Sequence, residues 1–426
     1  MIQSFKKINS VNGTVKFQGD KSISHRALLI SSLAKGKSVI KNLSGSDDVN
    51  STMSCLNALG IQTDFNEGVC SVYGKGFKGY KKPSVYLFAG NSGSTVRLLS
   101  GILAAQNFET VIEGDESLSN RPMKRVIDPL TQMGAIIEGD DKVRLPLKIF
   151  HSEKLKAINY KMPVASAQVK SALLLAGLHL VEQTSVIETT PTRNHTENLL
   201  GLKINKGNNH IISTVSSANY PEPKGYFIPG DISSAMYFIV LTLLTENSEL
   251  IVKHVSLNPT RIECLNVLKR MGGNIQIEEK GISNNEIFGD VIVKSSDLKN
   301  VKISEEIVPL IIDEIPILTV VGIFAEGNFE LRGASELRVK ESDRIKSIFK
   351  NLSKTGLIVE EFEDGFLVDG QLRNVSESFE SYDDHRIAMT FAILSSLIEE
   401  GGNVNGFECV SVSNPEFLKQ LYSIAN

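Results

Sequence analysis

Lys21-Ser22-Ile23-Ser24-His25-Arg26 is a polar turn that opens directly into a long apolar run. The same arrangement recurs along the chain at intervals of roughly seventy residues. The later openings are Asn91-Ser92-Gly93-Ser94-Thr95, Ser166-Ala167-Gln168, Gly230-Asp231-Ile232-Ser233-Ser234, Asp313-Glu314 and Asp383-Asp384-His385-Arg386. Each is followed by a helix-like stretch, a short turn and a β-branched segment such as Ser38-Val39-Ile40. The chain is therefore built from an internal repeat.

The polar residues at these openings are of the types that begin helices. Ser, Asp and Asn side chains accept hydrogen bonds from the free backbone N–H groups of a first helical turn. A helix N-terminus also carries about half a positive charge, which favours bound anions. If several of these helix ends converge in the folded protein, they build a site for phosphates and carboxylates.

A second helix-like segment in each repeat ends in a glycine. These segments are Asp48 to Gly60, Lys124 to Gly134, Thr196 to Gly201, Arg261 to Gly273 and Asp343 to Gly356, with a shorter one from Pro415 to Leu421. The glycines fit helix C-termini, where a left-handed backbone is needed. The repeat is longer than the roughly 20–50 residues of common solenoids. It predicts compact α/β domains, each made of a few helix–strand–helix–strand units with extra strands.

The length of 426 residues exceeds what one hydrophobic core supports and predicts two domains. A Pro/Gly-rich stretch from Tyr220 to Gly230 marks the seam, with three repeats on each side. The other crossing is expected near Gly19-Asp20, so that the first strand, around Thr14 to Phe17, joins the C-terminal half. The predicted domains are residues 20–229 and residues 1–19 plus 230–426, with hinges near 19–21 and 221–232 and a cleft between the domains.

Composition and charge exclude several classes of protein. A content of 41% hydrophobic and 22% charged residues is that of an ordinary globular chain. The net charge of −4 argues against general nucleic-acid binding, which needs a basic face. The first residues lack the apolar run of a secretory signal, and the apolar stretch from Val308 to Ala325 is broken by Asp313, Glu314 and Pro316. We therefore expect a cytoplasmic protein that binds no membrane.

The four cysteines are scattered, without the spacing of metal ligands or of a disulfide framework. We expect neither a metal nor a cofactor. Basic residues instead stand beside the polar openings: Lys21, Arg26, Arg97, Arg121, Arg193, Lys340, Arg344 and Arg386. Guanidinium groups bind carboxylates and phosphates bidentately, and Lys adds a compact charge. This many cations suits two polyanionic ligands, each phosphate of which carries close to −2 at neutral pH.

Six motifs together identify a family resemblance. They are Gly19-Asp20-Lys21-Ser22-Ile23-Ser24-His25-Arg26, Gly90-Asn91-Ser92-Gly93, Ser119-Asn120-Arg121-Pro122-Met123, Ser166-Ala167-Gln168-Val169-Lys170-Ser171, Lys340-Glu341-Ser342-Asp343-Arg344 and Asp384-His385-Arg386. In this order, from about residue 12 to 418, the chain resembles the 3-phosphoshikimate 1-carboxyvinyltransferases (EPSP synthases), and more closely their second bacterial class. The resemblance implies an α/β (α+β) fold of two similar domains. Each domain has three βαβαββ units in an inside-out α/β barrel, the enolpyruvate transferase fold.

The resemblance also implies a reaction. Members of the family transfer the enolpyruvyl group of phosphoenolpyruvate to the 5-hydroxyl of shikimate 3-phosphate by addition and elimination, releasing phosphate on the way to chorismate and the aromatic amino acids. Carried over by motif, the residues expected on shikimate 3-phosphate are Lys21, Ser22, Arg26, Ser166, Gln168, Arg193, Asp313 and Lys340. Those expected on phosphoenolpyruvate are Lys21, Asn91, Gly93, Arg121, Gln168, Arg344 and Arg386. The resemblance implies a monomer whose only partners are these two substrates.

The catalytic roles implied by the resemblance fall on four residues. Asp313 would take the proton from the 5-hydroxyl, and Glu341 would deliver one to the methylene carbon of phosphoenolpyruvate. Lys21 is a competing proton donor, and His385 would assist at the leaving phosphate. Gly93, which has no side chain, leaves room for the inhibitor glyphosate in the phosphoenolpyruvate site and predicts a sensitive enzyme.

Three positions depart from the pattern of the first bacterial class. Ala167 replaces a second phosphate-binding Ser, Glu336 replaces an Asn, and Val412 replaces a Lys near the C-terminus. Two rival functions remain open on the residues alone. One is the sister transferase acting on UDP-N-acetylglucosamine, whose members typically carry a reactive Cys, in some cases Asp, in the loop before Arg121; here that loop is Asp115 to Asn120. The other is a catalytically silent anion-binding protein on the same fold, which would have no need of an acid and a base such as Asp313 and Glu341.

Overall fold

The computed structural model describes residues 1–373 and 377–425, which divide into two units. The inserted unit comprises Gln18–Pro229 and Ile282–Glu286. The terminal unit comprises Met1–Phe17, Gly230–Gly281 and Ile287–Asn426. The strand predicted around Thr14 to Phe17 lies in the same unit as the C-terminal half of the chain, but it is the second strand, because Ile2–Phe5 forms an earlier one. The hinges expected near 19–21 and 221–232 stay a prediction.

Helices and strands alternate along most of the chain and are numbered here in chain order. The α-helices are α1 Lys21–Leu33, α2 Asp47–Ala58, α3 Gly93–Leu103, α4 Glu116–Ser119, α5 Lys124–Gln132, α6 Ala167–Gly177, α7 His195–Leu200, α8 Ile232–Leu244, α9 Glu263–Arg270, α10 Val308–Ile311, α11 Ile315–Phe324, α12 Arg344–Leu352, α13 His385–Leu397 and α14 Phe417–Ile424. The strands are β1 Ile2–Phe5, β2 Asn12–Lys16, β3 Lys35–Lys41, β4 Gln62–Asn66, β5 Val69–Lys75, β6 Leu87–Phe88, β7 Thr110–Glu113, β8 Ile136–Glu138, β9 Leu147–Phe150, β10 Asn159–Lys161, β11 Thr184–Glu188, β12 Ile204–Lys206, β13 Ile211–Val215, β14 Gly225–Phe227, β15 Glu249–Ser256, β16 Asn274–Ser283, β17 Glu286–Lys294, β18 Phe329–Leu331, β19 Ile358–Phe362, β20 Gly365–Asp369, β21 Glu377–Glu380 and β22 Gly402–Asn405.

The inserted unit repeats one sheet pattern in the orders β14-β3-β5-β4, β6-β7-β9-β8 and β10-β11-β13-β12. In each sheet the first pair is parallel and the other two pairs are antiparallel. The second and third sheets follow the chain order β-α-β-α-β-β. The first sheet takes its opening strand, β14, from the far end of the unit, so its register pairs Gly225 with Val39 and Phe227 with Lys41.

The terminal unit contains the sheets β16-β17-β15-β2, β18-β20-β19 and β1-β22-β21. Strand β2 pairs in parallel with β15, and β21 pairs in parallel with β22. Strand β1 pairs antiparallel with β22, matching Ile2 with Asn405. Two of the three sheets therefore include a strand from the N-terminal segment of the chain.

Each of the six polar openings begins a helix that is buried along most of its length: α1, α3, α6, α8, α11 and α13. The side chains of Asp20, Ser92, Ser166, Asp231 and Asp384 accept backbone N–H groups of these first turns. Helix α11 starts differently, because Glu314 makes no side-chain cap and Pro316 occupies its first turn. In the inserted unit α3 packs on both α1 and α6, and in the terminal unit α8, α11 and α13 all contact one another.

The second helix of each repeat also forms, as α2, α5, α7, α9, α12 and α14. Glycines 60, 134, 201 and 356 follow these helices with positive φ, as the sequence predicts. The prediction is wrong by one residue after α9. There Gly272 has φ of 104°, whereas Gly273 does not take a left-handed backbone. No single helix in 1–373 or 377–425 is long and apolar enough to cross a membrane, although Glu305–Ile311 and Ile315–Phe324, bent by 115°, reach that composition together.

Helices α3 and α6 approach each other closely at Gly101. A Cβ atom placed on Gly101 would lie 2.1 Å from the carbonyl oxygen of Ala172. The obstacle is backbone, so it cannot rotate away as a side chain would. The absence of a side chain at Gly101 therefore sets the spacing of two helices whose first turns carry predicted site residues.

We expect Gly101→Ala to lower the free energy of unfolding by about 1–3 kcal/mol, because α3 and α6 must separate to admit the methyl group. Urea unfolding followed by circular dichroism measures this change. The control is Gly225→Ala, where an added Cβ would meet nothing within 4 Å and the stability should stay within about 0.5 kcal/mol. Equal stability of the two variants would contradict the close approach.

Candidate functional site

The first turns of α1, α3 and α6 lie together in the inserted unit. Arg97 on α3 donates a hydrogen bond from Nη1 to Oε1 of Gln168 on α6 at 2.9 Å. Gln168 in turn donates from Nε2 to the hydroxyl of Ser94 at 3.0 Å. Arg26 on α1 donates to the hydroxyl of Ser171 on α6 at 2.8 Å. The helix ends that the repeat predicted to converge are therefore in hydrogen-bonding contact within this unit.

A chain of buried hydroxyl groups also joins these first turns. His25 Nδ1 lies 2.7 Å from the Thr52 hydroxyl, which lies 2.7 Å from the Thr95 hydroxyl, which donates to Ser92 at 2.8 Å. Burial first, and then the charges of Lys21 and Arg26, hold the pKa of His25 well below its usual value. His25 is therefore neutral at physiological pH and serves the packing of these turns.

Arg26 is a buried cation, and among the residues that the structure describes its guanidinium donates hydrogen bonds only to neutral oxygens. It donates to Thr196 Oγ1 at 2.9 Å, to the Ser22 carbonyl at 2.9 Å and to Ser171 Oγ at 2.8 Å. Burial lowers the pKa of Arg26 to about 10, and Glu197 offsets only part of this effect. Because a buried charge is costly without a counter-ion, this environment favours a bound anion.

Two further cations stand beside Arg26. Arg193 donates from Nη1 to the Ser22 hydroxyl at 3.3 Å, so Ser22 lies between the two arginines. Lys21, the first residue of α1, pairs with Asp48 at 2.8 Å, with both side chains largely buried. Ser166 caps α6 and accepts the N–H of Val169 at 3.4 Å.

The loop after β6 supplies a second cluster in the inserted unit. Asn91 donates to Asp115 at 2.9 Å and accepts a short hydrogen bond from Arg121. Arg121 also donates to Ser117 at 3.3 Å. A Cβ atom on Gly93 would lie 2.6 Å from Nη1 of Arg97 and 3.6 Å from Nη1 of Arg121. The bare backbone at Gly93 therefore accommodates two guanidinium groups.

A buried ionic network behind these residues is not evident from the sequence. Lys170 on α6, 1% exposed, bonds to Glu188 at 2.7 Å and to Glu197 at 2.8 Å. Glu197 also accepts from Ser213 at 2.9 Å, and Thr192 donates to Glu188. The network fixes α7 and the turn before it, which carry Arg193 and the Thr196 that contacts Arg26. In the sequence, the position of Lys170 within a helical run of Leu and Ala was the feature that could have indicated a buried ion pair.

In the terminal unit the first turns of α8, α11 and α13 also meet. Arg386 on α13 donates from Nη1 to the carbonyl oxygen of Asp313 at 3.0 Å. Tyr237 on α8 donates to the carbonyl oxygen of Arg386 at 3.4 Å. The hydroxyl of Ser233 donates a short hydrogen bond to Glu314. His385, the first residue of α13, is buried at this junction.

The carboxylate of Asp313 is surrounded by three cations. Oδ1 lies 3.4 Å from Lys340 Nζ and 3.4 Å from Arg344 Nη1, and Oδ2 lies 3.8 Å from Arg386 Nη2. The Asp313 side chain is 14% exposed, so these charges act with little solvent between them. Opposite charges at this range favour the ionised carboxylate.

Arg344 pairs with two further acids beside Asp313. It donates to Glu341 at 2.6 Å and to Asp384, the cap of α13, at 2.8 Å. Burial alone would lower the pKa of Arg344, but Asp384 and Glu341 outweigh it and raise that pKa. Burial likewise opposes the charge of Arg386, and Asp313 raises its pKa. These arginines therefore stay charged, and unlike Arg26 they already have acidic partners.

The fourth opening carries polar contacts that the sequence interpretation missed. Arg261 donates to Ser233 at 2.8 Å and pairs with Asp231 at 3.3 Å, and both side chains are largely buried. Because Ser233 also contacts Glu314, this cluster borders the turn that holds Asp313. The segment Gly230 to Ser234 is thus both a helix start and a support for the fifth opening.

The sequence-predicted residues form two sets. The inserted unit contains Lys21, Ser22, Arg26, Asn91, Gly93, Arg121, Ser166, Gln168 and Arg193, and the terminal unit contains Asp313, Lys340, Glu341, Arg344, His385 and Arg386. Among residues 1–373 and 377–425, no group of three or more His, Cys, Asp or Glu side chains is placed to hold a metal ion. Each set therefore combines cations with hydroxyl, amide or carboxylate groups, a chemistry suited to anions and proton transfer.

Comparisons with known proteins find relatives that span nearly the whole chain. A family model for EPSP synthase (3-phosphoshikimate 1-carboxyvinyltransferase) matches residues 5–421. A Petrotoga mobilis protein named 3-phosphoshikimate 1-carboxyvinyltransferase is 45% identical over 416 residues, covering 96% of both chains. The solved EPSP synthase of Acinetobacter baumannii has a TM-score of 0.85 and 36% identity, covering 100% of this chain and 98% of that one.

A more distant likeness concerns the fold alone. The enolpyruvyl transferase NikO from Streptomyces tendae has a TM-score of 0.74 at 13% identity, covering 100% of this chain and 97% of that one.

The predicted α/β fold of two similar domains built from repeated units is confirmed. The match covers nearly the whole length of the chain and of its relatives. This chain belongs to the EPSP synthase (3-phosphoshikimate 1-carboxyvinyltransferase) family.

Proposed function

We propose that this chain is an enzyme that transfers the enolpyruvyl group of phosphoenolpyruvate to the 5-hydroxyl of shikimate 3-phosphate and releases phosphate. The observation that carries the proposal is the Asp313 cluster, in which one largely buried carboxylate lies within 4 Å of Lys340, Arg344 and Arg386. An ionised carboxylate beside anion-binding cations is what a base needs when its substrate is itself a polyanion.

Shikimate 3-phosphate would be held first by the inserted unit. Arg26 and Arg193 flank Ser22, and the buried charge of Arg26 has only neutral hydrogen-bond partners in this structure. A phosphate placed there would supply the missing counter-charge. Ser166, Gln168, Lys21, Asp313 and Lys340 complete the proposed set for this substrate.

Phosphoenolpyruvate would be held by the second cluster. Arg121 and Asn91 are already bonded to each other, which fixes the guanidinium before the ligand arrives and lowers the entropy lost on binding. The bare backbone of Gly93 lets the guanidinium groups of Arg97 and Arg121 lie close to it. Lys21, Gln168, Arg344 and Arg386 complete the proposed set for phosphoenolpyruvate.

The two proton transfers would be made by the terminal unit. Asp313 would accept the proton of the 5-hydroxyl as its oxygen attacks the enolpyruvyl carbon. Glu341 would give a proton to the methylene carbon, for which it must be protonated. Glu341 pairs with Arg344 at 2.6 Å. An anion that engages Arg344 would withdraw that counter-charge and favour the protonated acid.

In the elimination the conjugate base of the proton donor would take a proton back from the new methyl group, the C–O bond to phosphate would break, and the double bond would return as phosphate leaves. Lys21 remains the competing proton donor for the addition step, and His385 is assigned to the leaving phosphate. Phosphate release in the presence of both substrates tests the proposed function. No release would favour the catalytically silent protein, and release with UDP-N-acetylglucosamine in place of shikimate 3-phosphate would favour the sister activity. The monomeric state and the cytoplasmic location stay predictions.

We expect Asp313→Asn to lower kcat by at least about 10²-fold while shikimate 3-phosphate still binds, because the amide keeps the shape but cannot accept the proton. Phosphate release gives kcat, and calorimetry gives binding. Glu326→Gln, at a 72% exposed side chain of the same unit, is the control that should keep full turnover. Near-normal turnover of Asp313→Asn would remove this residue from the mechanism.

We expect the wild-type protein to be inhibited by glyphosate in competition with phosphoenolpyruvate, and Gly93→Ala to weaken both ligands. The added methyl would stand 2.6 Å from Arg97 Nη1 and force the guanidinium to move. Inhibition curves at several phosphoenolpyruvate concentrations measure both effects. Non-competitive inhibition, or unchanged affinities in the variant, would contradict the placement of Gly93.

We expect Lys170→Met to lower the free energy of unfolding by about 3–5 kcal/mol, since Glu188 and Glu197 would lose their buried cation. Any folded fraction should bind shikimate 3-phosphate more weakly, because Arg193 and Thr196 depend on the same network. The exposed Lys161→Met is the control. Adding Glu188→Gln and Glu197→Gln to Lys170→Met should restore part of the stability, and no such recovery would refute the ionic explanation.

A further inference from the structure

Lys340 and Glu341 lie on a connection that has no helical or strand hydrogen bonds of its own. The 3₁₀ helix Ser335–Val339 ends just before them, and α12 begins just after them at Arg344. Such a connection needs anchors if its side chains are to keep one position. Arg338, at the end of the 3₁₀ helix, supplies the anchor.

The guanidinium of Arg338 makes four contacts in two directions. Towards the β19–β20 hairpin it donates to the carbonyl oxygens of Phe362 at 2.6 Å and Glu363 at 2.7 Å, and it pairs with Glu361 at 2.9 Å. Towards α12 it donates to Asp343 at 2.8 Å. The planar fork of Arg can satisfy these partners together, whereas a Lys ammonium cannot match their geometry.

The Arg338–Asp343 pair closes a short loop. Residues 339–342 lie between these two side chains, so Lys340 and Glu341 sit inside a segment tied at both ends. Asp343 also caps α12 through the N–H of Lys346 at 3.0 Å. The loop is thus fixed to a hairpin on one side and to a helix start on the other.

The tied segment leads directly to the charged cluster. Glu341 accepts from Arg344 at 2.6 Å, and Lys340 lies 3.4 Å from Asp313. Ser342 donates to Asp384 at 3.2 Å. A shift of the segment would therefore change the positions of both proposed substrate-contacting side chains at once.

We propose that Arg338 is a positioning residue that sets the locations of Glu341 and Lys340 for the transfer reaction. The inference rests on the proposed function. Arg338 touches neither Asp313 nor Arg344 in the contacts above, and it acts through the backbone of 339–342. Its removal would lower turnover by misplacing Glu341, while the residues of the inserted unit stay in place.

The test compares Arg338→Met, Arg338→Lys and the matched control Arg332→Met. Arg332 belongs to the same unit, stacks on the ring of Phe362 at 3.3 Å and pairs with Glu330 at 2.9 Å, and within the described part of the chain it makes no hydrogen bond or ion pair with residues 339–343. Loss of its side chain removes similar contacts with the hairpin without releasing the tied segment. For each variant we measure kcat, KM for both substrates and the unfolded fraction under assay conditions.

We expect Arg338→Met to lower kcat by about 10–100-fold, since a displacement of about 1 Å at a reacting group is enough for such a loss. KM for phosphoenolpyruvate should change far less than kcat. Arg338→Lys should fall between wild type and Arg338→Met, because the ammonium can still pair with Asp343 or Glu361 but loses the fork. Arg332→Met should keep the wild-type kcat.

Three results would overturn the inference. One is a folded Arg338→Met variant with kcat within about twofold of wild type, a factor worth only about 0.4 kcal/mol of barrier. Another is a kcat loss that matches the unfolded fraction and disappears on cooling, which would make the role purely structural. The third is an equal loss in Arg332→Met. If wild type itself releases no phosphate, the proposed function fails; if only the variant comparison fails, the inference about Arg338 alone is wrong.

Discussion

Three buried helices begin side by side in each unit, and most other features of the site follow from this constraint. Their first turns leave backbone N–H groups that must be satisfied away from water. Capping side chains such as Asp20, Ser92 and Asp384 meet part of this demand. The positive ends of the three helix dipoles then lie close together. Polar and anionic groups are therefore more stable than apolar side chains at this buried junction.

The two units balance their buried charge in different ways. In the inserted unit Arg26 is surrounded by hydroxyl and carbonyl oxygens, so its charge is left for a ligand to neutralise. In the terminal unit Arg344 and Arg386 are matched by Asp313, Glu341 and Asp384. Cations that already have acidic partners bind an added anion less strongly. A ligand that displaces one member of such a pair, however, changes the charge beside the remaining acid and so changes its protonation. Asp313 and Glu341, the two acids proposed for proton transfer, both belong to the set whose charges are already paired.

The sequence alone predicted the repeat, the six buried helices and the second helix of each repeat, because capping residues and apolar runs are local signals. It also supplied the predicted site residues, through motifs at the openings. It did not predict that Lys170 pairs with two glutamates or that Arg261 reaches Ser233, since those contacts join residues 18 or more positions apart within one repeat, beyond the reach of a local pattern. Contacts such as Arg26 with Thr196, 170 positions apart, depend on how repeats stack, which no local pattern specifies. The shift from Gly273 to Gly272 shows the same limit at the scale of one residue.

The pairing of β1 with β22 and of β2 with β15 has a consequence for the order of folding during synthesis. Once the ribosome has released the chain as far as β14, that strand can pair with β3, because both strands belong to the inserted unit and have already been synthesised. At that time β1 has no partner, and it must wait until residue 405 has emerged to meet Asn405 opposite Ile2. The nascent chain therefore carries its N-terminal strand unpaired through most of its translation, and a premature stop before β22 would leave that strand exposed to aggregation.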